Sequence, residues 1–254
     1  MAGLDVAEQQ AALTAQLRAA GKPYRGGQQN DSYTGSGHPF FNVSIPELRR
    51  IARAWVAAHR RDADADLLAV TDRLFRGEGY EEKVLAAVLL QSNGRIWREV
   101  TPAMVDRWLD DLSGWAEIDS LCAGAFWAEA MAADWPAWRA LIERLARDPN
   151  INKRRAALVL LTAPTRRSDD PRFRDLAFEV VERLKGERPI LITKAVSWLL
   201  RSMAPRHVGA VAAYLEANAA SLPAIAVRET RVKLATGTKS GRSRRAAGQS
   251  RQGS

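Results

Sequence analysis

Six polar residues recur at nearly regular spacing along the chain, and they could place charge along one surface. Five are basic and one is a carboxylate, and consecutive members are 34, 36, 36, 39 and 37 residues apart. These six column positions are Arg49, Lys83, Asp119, Arg155, Lys194 and Arg231. A period of that length is typical of stacked helical arrays, in which equivalent positions line up along one face. The pattern predicts a basic stripe that binds phosphate groups around a single acidic, reactive centre.

Two tryptophans and an arginine are predicted to surround the carboxylate of Asp119. Trp115 lies four residues before Asp119, so the indole and the carboxylate would share a helix face. Trp198 lies four residues after Lys194 in the same way. With Arg155, the set would join two aromatic planes, a guanidinium and a carboxylate. Asp119 could instead cap a helix or form an ion pair, and both tryptophans could pack in the core.

Other catalytic arrangements find little support. Glu117 is predicted on the opposite side of the helix from Asp119, so the two do not form the carboxylate pair of most glycoside hydrolases. The three histidines are scattered without the spacing of a metal site. We therefore predict neither a metal nor another cofactor.

The elements that must position these residues are helices. Apolar residues lie three and four apart nearly throughout, which predicts an all-α fold. Short connections containing Gly or Pro favour antiparallel helix pairs, the unit of a HEAT-like repeat α-solenoid, here with about six repeats. The predicted helices are 5–20, 45–60, 64–76, 80–92, 101–113, 117–133, 136–147, 151–162, 171–185, 189–203, 206–219 and 222–234.

Two segments depart from the helical pattern. Residues 25–43 are rich in Gly and polar residues; connections of this length are often functional, although a surface loop held by its own aromatics fits equally well. Residues 235–254 hold five basic residues and no acidic one, which predicts a disordered basic tail. That tail could hold nucleic acid loosely or have no role. The predicted domains are one repeat domain over 1–234 and the tail over 235–254.

Composition limits the classes of partner and compartment. The 254 residues are 46% hydrophobic with a formal net charge of +9, which indicates a globular chain that binds a polyanion. The single cysteine, Cys122, excludes a disulfide framework. The chain has no signal-like start and no apolar run of membrane length, so we expect a soluble, cytoplasmic monomer that does not bind membranes.

Four segments together resemble the AlkD-like DNA alkylation repair family, in order and at similar spacing between about residues 20 and 234. They are 33–49 (YTGSGHPFFNVSIPELR), 115–120 (WAEIDS), 154–157 (RRAA) and 194–201 (KAVSWLLR). Asn42 replaces a common glycine of the family, which is tolerable because Asn also adopts left-handed conformations. Gly114 replaces a frequent aromatic residue beside Trp115.

The resemblance implies a DNA glycosylase of base excision repair. Such proteins bind duplex DNA on a basic surface and hydrolyse the N-glycosidic bond of N3- or N7-alkylated purines, and DNA would hold the protein at the nucleoid. The resemblance carries the catalytic aspartate onto Asp119 and the other cleft residues onto Trp115, Trp198 and Arg155. The DNA-binding residues would be Arg49, Lys83, Arg154, Lys194 and Arg231, with Tyr33 near the site.

Two other functions remain open at this stage. Some relatives with this architecture bind unusual DNA structures with little glycosylase activity, and HEAT-like arrays also serve as scaffolds for protein partners. A scaffold requires neither a carboxylate flanked by tryptophans nor a basic stripe. If all five basic column positions contact phosphates, DNA affinity should fall with salt at a log–log slope of about −4.5.

Overall fold

The computed structural model describes residues 3–23 and 31–240. Within them the chain forms sixteen α-helices and no strand, which confirms the all-α prediction. The chain divides into two compact units, Met1–Leu145 and Ala146–Ser254. None of the helices in these described ranges combines the length and the apolar content that crossing a bilayer requires.

The N-terminal unit is built around a row of three long or medium helices, α3, α5 and α8. Its helices are α1 (Val6–Ala20), α2 (Asp31–Thr34), α3 (Ile45–Ala58), α4 (Asp64–Phe75), α5 (Tyr80–Ser92), α6 (Gly94–Arg98), α7 (Pro102–Trp108), α8 (Gly114–Cys122), α9 (Trp127–Ala133) and α10 (Trp135–Leu145). Helix α5 packs against α3, α4 and α8, and α4 also packs against α1. Because neighbours cover α5 on several sides, it is buried along most of its length.

The C-terminal unit is built around α14. Its helices are α11 (Ile151–Leu160), α12 (Thr162–Arg167), α13 (Pro171–Leu184), α14 (Ile190–Met203), α15 (Val208–Asn218) and α16 (Ala224–Thr236). Helix α14 packs against α11, α12, α13 and α16. The buried side chains of α13 recur three and four residues apart, so one stripe faces the core: Phe173, Leu176, Ala177, Val180, Val181 and Leu184.

Each column position lies on a different helix, and these helices pack in sequence order within each unit. The helices are α3, α5, α8, α11, α14 and α16. In the N-terminal unit α3 contacts α5 and α5 contacts α8; in the C-terminal unit α11 contacts α14 and α14 contacts α16. This repeat-like packing is that of the predicted α-solenoid; the HEAT type of the repeat stays a prediction.

Helix boundaries mostly follow the predicted breakers, with three exceptions of physical interest. The predicted helix 117–133 is two helices, α8 and α9, separated by residues 123–126, where an added Cβ on Gly124 would lie 2.6 Å from the ring of Phe126. The predicted break at Pro164 is wrong. This proline lies in the first turn of α12, where its missing N–H removes no helical hydrogen bond. The short helices α2, α6 and α12 were not predicted.

The two unusual segments are described in part. Of the predicted loop 25–43, residues 31–43 form α2 and then irregular chain with three left-handed residues, Gly35, Gly37 and Asn42, and 25–30 lie outside the described residues. Of the predicted tail 235–254, α16 includes the first two residues, and 241–254 lie outside the described residues. The tail and the domain boundary before it therefore stay predictions.

Candidate functional site

Helix α8 carries Asp119 and Trp115 on a partly exposed side. Both residues are partly accessible to solvent, whereas Glu117 between them is 1% exposed. This confirms that Glu117 and Asp119 face different ways. The surface of α8 thus presents a single carboxylate one turn after an indole, without a second carboxylate from its own sequence beside it.

Tyr33 holds the indole of Trp115 in place. The Trp115 Nε1 donates a hydrogen bond of 2.8 Å to the Tyr33 carbonyl oxygen. The two rings meet edge to face, with centroids 5.2 Å apart and planes at 85°. Tyr33 itself is 63% exposed. The structure therefore brings together two residues that the sequence placed in the site separately, and it leaves their aromatic surface open to a ligand.

A buried glutamate attaches the segment that contains Tyr33 to the start of α8. Glu117 accepts hydrogen bonds from Ser36 Oγ and from the Ser113 backbone N–H, the latter at 2.9 Å. Its Oε1 also lies 2.9 Å from His38 Nδ1. No role for Glu117 was predicted from the sequence. Glu117 lies four residues before the apolar Leu121 and so shares the buried face of α8. A carboxylate on a buried face needs several hydrogen-bond partners, and this was the available signal.

A second buried glutamate fixes the other end of the same segment. Glu81 on α5 accepts from the backbone N–H groups of Phe41 at 2.8 Å and Val43 at 3.2 Å. Burial raises the pKa of the Glu81 carboxyl, while these backbone donors oppose that rise. Phe40 stacks on Tyr80 with ring centroids 4.4 Å apart. The described part of the segment is thus held by the Glu81 and Glu117 carboxylates and by aromatic packing. The same segment places Tyr33 beside Trp115, so a functional loop and a loop held by its own aromatics are compatible predictions.

The two departures from the family pattern have backbone reasons. Asn42 has φ 60°, which confirms that it occupies the left-handed region. Gly114 has φ 69°, and an added Cβ would overlap the Thr34 carbonyl oxygen and lie 2.7 Å from the Gly35 carbonyl group. A side chain at position 114 would therefore push the Tyr33 segment away from α8.

In the C-terminal unit, three predicted site residues line one cavity of about 320 Å³. They are Arg155 on α11 and Lys194 and Trp198 on α14. Arg155 is largely buried and donates a hydrogen bond of 2.5 Å to the Leu191 carbonyl oxygen, which fixes the direction of its guanidinium. Lys194 is exposed and Trp198 is partly exposed. The cavity can therefore offer charge and an aromatic face to an anionic or aromatic group.

The remaining basic positions differ in exposure. Arg49 on α3 and Arg231 on α16 are exposed, as a phosphate contact requires. Lys83 is 3% exposed, and its Nζ donates to the Phe75 carbonyl oxygen at 3.0 Å. Burial lowers the pKa of Lys83, and the nearby charge of Glu117 opposes this effect. The prediction that Lys83 contacts DNA is corrected, because the packing around α5 covers its ammonium group.

Arg154 also has structural partners. Its guanidinium donates two hydrogen bonds to Glu187, of 2.8 and 3.1 Å, and two of 2.8 Å to the carbonyl oxygens of Asp148 and Pro149. These contacts tie the start of α11 to the loop after α13. Because its donors are engaged within the protein, we leave Arg154 out of the candidate interface.

The predicted constellation draws on both units. Trp115 and Asp119 belong to Met1–Leu145, and Arg155 and Trp198 belong to Ala146–Ser254. Within its own unit, Trp115 contacts Tyr33, and Arg155 lines the same cavity as Trp198. The convergence of all four residues stays a prediction.

Comparison with known proteins gives one informative match. A family model described as DNA alkylation repair enzyme matches residues 13–234. The match covers most of the chain and includes every predicted site residue. No curated protein matches the chain significantly.

Proposed function

Because the chain belongs to the DNA alkylation repair enzyme family, we propose that it is a DNA glycosylase. Its substrates are N3- and N7-alkylated purines in duplex DNA, and it hydrolyses the N-glycosidic bond between the damaged base and deoxyribose. The observation that carries the proposal is the pairing on α8 of the partly exposed Asp119 with the indole of Trp115, which Tyr33 holds in place.

The chemistry of a cationic base requires only one carboxylate. Alkylation at N3 or N7 leaves the purine positively charged. When the glycosidic bond breaks, its electron pair moves to the ring nitrogen and the base leaves neutral, so no general acid is needed. The positive charge that develops at C1′ is stabilised by the Asp119 carboxylate. Water then forms the new bond to C1′ and loses its proton through Asp119 to solvent.

The aromatic residues contribute attraction for positive charge. The face of an indole binds a cation with about 0.5–2 kcal/mol, depending on its exposure to water. Trp115 is partly exposed, and its hydrogen bond to Tyr33 sets the ring orientation before DNA binds. A ring held in advance loses little conformational entropy when the substrate arrives, so more of this attraction remains for binding the alkylated base or the sugar cation.

DNA affinity comes from basic residues in both units. Arg49 lies on α3 in the N-terminal unit, and Lys194 and Arg231 lie in the C-terminal unit; all three are exposed. Each contact with a backbone phosphate releases counterions, so binding to plain duplex DNA should weaken as salt increases. Arg155 supplies a further guanidinium at the cavity in the C-terminal unit.

The direct test is release of 7-methylguanine from methylated duplex DNA. The Asp119→Asn variant should lose about a hundredfold or more in the rate of base release, because one electrostatic group at a reacting centre commonly contributes about 2.7–4 kcal/mol. Binding to undamaged duplex should remain. Glu129→Gln, which removes an exposed carboxylate on the neighbouring helix α9, should leave the rate unchanged.

The same assays separate the other possible functions. Base release by Asp119→Asn at the wild-type rate would remove the catalytic assignment. Salt-dependent DNA binding by the wild-type protein without any base release would instead indicate a DNA-binding protein that performs no reaction. Absence of both activities would favour a scaffold for protein partners.

A further inference from the structure

The cavity in the C-terminal unit has charged residues beyond those expected from the sequence. Besides Arg155, Lys194 and Trp198, the described residues that line it include Arg201, Glu229, Lys239 and an isoleucine. Four of these lining residues are basic and one is acidic. The single carboxylate therefore faces an excess of positive charge.

Glu229 on α16 is shared by two basic side chains. Its Oε2 accepts a hydrogen bond of 2.7 Å from Ser197 Oγ and lies 3.2 Å from Arg201 Nε. Its Oε1 lies 3.8 Å from Lys239 Nζ, the long limit of an ion pair. Burial lowers the pKa of Arg201, and the charge of Glu229 opposes that effect. The Glu229 carboxylate therefore stabilises the charge of the partly buried Arg201. Its longer contact with Lys239 holds that side chain only weakly.

A turn after α16 brings Lys239 to this carboxylate. The helix ends at Thr236, and the next residue, Gly237, has φ 70° and donates its N–H to the Lys233 carbonyl oxygen at 2.9 Å. The Thr238 N–H then donates to Thr236 Oγ1 at 3.2 Å. Such a left-handed residue is a common way for a helix to end, and Lys239 follows two residues later. Lys239 lies beyond residues 13–234, the region that the family model matches.

We propose that Lys239 is an additional DNA-backbone contact of this chain and that Glu229 holds it in place until a phosphodiester group replaces the carboxylate. This inference rests on the proposed function, because it requires duplex DNA as the partner. A phosphodiester carries the same single negative charge as a carboxylate and accepts hydrogen bonds from ammonium and guanidinium groups. The Lys239 side chain is 64% exposed, so a phosphate can reach it with little loss of its hydration.

The salt dependence of binding to undamaged duplex DNA tests the contact. Lys239→Ala should make the log–log slope of affinity against salt less negative by about 0.9, the value for one lost phosphate contact on B-form DNA. The matched control is Lys185→Ala. It removes the same charge from the same unit, but the Lys185 ammonium is bound by Glu182 and by Asn218 at 2.8 Å. The control should keep the wild-type slope, and a wild-type slope for Lys239→Ala would overturn the proposal.

The role of Glu229 is tested by a double-mutant cycle. Glu229→Gln should tighten DNA binding about two- to fivefold, the range expected for releasing one partly exposed ion pair. The gain should be smaller in the Lys239→Ala background, because part of it acts through Lys239. An equal gain in both backgrounds would show that Glu229 does not restrain Lys239. Circular dichroism melting of each variant checks that the fold is retained.

Base release from methylated duplex, measured on the same proteins, separates this inference from the proposed reaction. If the wild-type protein releases no base but the slopes differ as expected, the glycosylase assignment fails and the Lys239 contact stands. If base release occurs and the slopes of wild type and Lys239→Ala agree, the contact fails and the reaction stands.

Discussion

At position 114, the absence of a side chain determines how closely the Tyr33 segment approaches α8. Gly114 combines a left-handed backbone with contacts to the carbonyl groups of Thr34 and Gly35. Trp115 follows directly, and its indole bonds the carbonyl oxygen of Tyr33. One glycine therefore allows the aromatic pair beside Asp119 to form.

Two glycines with nearly the same φ allow the effect of this close approach to be isolated. Gly237→Ala introduces a Cβ that meets nothing within 4 Å, so it should lower the free energy of unfolding only by the left-handed backbone cost of about 1–2 kcal/mol. Gly114→Ala adds the overlap with residues 34 and 35, which should cost about 1–3 kcal/mol more. Urea denaturation at pH 7 measures both values. Equal losses for the two variants would contradict the close approach.

At the scale of the elements, α4 and α7 are joined by one carboxylate in the N-terminal unit. Asp72 on α4 accepts hydrogen bonds from Trp108 Nε1 at 2.8 Å and Arg107 Nη2 at 2.7 Å, both from α7, and pairs with Arg76. Partial burial opposes ionisation of Asp72, but these donors and the Arg76 charge outweigh it, so the pKa of Asp72 lies below its usual value. The Asp72 carboxyl therefore ionises more readily in the folded protein than in the unfolded chain.

Asp72→Asn should lower the free energy of unfolding by about 1.5–3 kcal/mol at pH 7, the usual contribution of a hydrogen bond to a charged group. A carboxyl whose folded pKa is depressed stabilises the fold above its unfolded pKa, about 3.9, and this contribution is lost as the pH falls through the lower folded value. The difference between wild type and variant should therefore shrink below about pH 4. Urea denaturation across this pH range measures it.

An exposed pair provides the control for the Asp72 prediction. Asp175 pairs with its neighbour Arg174 on the surface of α13. Asp175→Asn should change the free energy of unfolding by less than about 1 kcal/mol, because exposed ion pairs contribute little. A difference for Asp72→Asn that persists unchanged at low pH would contradict an ionic role.

The long helices could be predicted because their pattern is local. The apolar period of α13 and the Asp170–Pro171 start are visible in a few consecutive residues, and the structure begins α13 there. The division of residues 117–133 at Gly124 and the continuation through Pro164 could not be predicted. The first involves the close packing of Gly124 against Phe126, and the second depends on α12 starting at Thr162, which puts Pro164 in its first turn; apolar periodicity reports neither.

The site was predictable in part for a similar reason. Trp115 and Asp119 share a helix, so their common side follows from spacing, and the contact of Trp115 with Tyr33 agrees with both having been placed near the site. The roles of Glu117 and Glu81 were missed, because each binds a segment that is about 40–80 residues away in sequence. Lys83 was assigned wrongly because spacing does not distinguish an outer helix from one covered on several sides.

At the scale of the whole molecule, the net charge of +9 favours DNA binding. The affinity then depends on which basic side chains are accessible to phosphate groups. Among the basic column positions, Arg49, Lys194 and Arg231 are exposed and Lys83 is buried. The exposed positions can exchange counterions for phosphate, whereas the buried lysine cannot. The total charge predicts attraction to DNA, but its distribution by exposure determines the salt slope.

Arg49→Ala should make the log–log salt slope for undamaged duplex less negative by about 0.9, because it removes one phosphate contact. Lys83→Met should leave the slope unchanged, since its ammonium group lies in the core and bonds the Phe75 carbonyl oxygen. Fluorescence anisotropy of a labelled duplex at several salt concentrations measures both slopes. A reduced slope for Lys83→Met, with its fold verified by circular dichroism, would contradict the burial argument.

The amino-acid sequence by itself determined the all-α class, the repeat spacing and the candidate carboxylate with its tryptophan, because apolar periodicity and side-chain spacing on one helix are local properties. The tertiary structure alone decided that Lys83 is buried, that Glu117 and Glu81 anchor the Tyr33 segment, and that Gly114 must lack a side chain. It also placed Lys239 beside Glu229. These features depend on contacts between helices far apart in the chain, and burial and electrostatic environment arise only from those contacts.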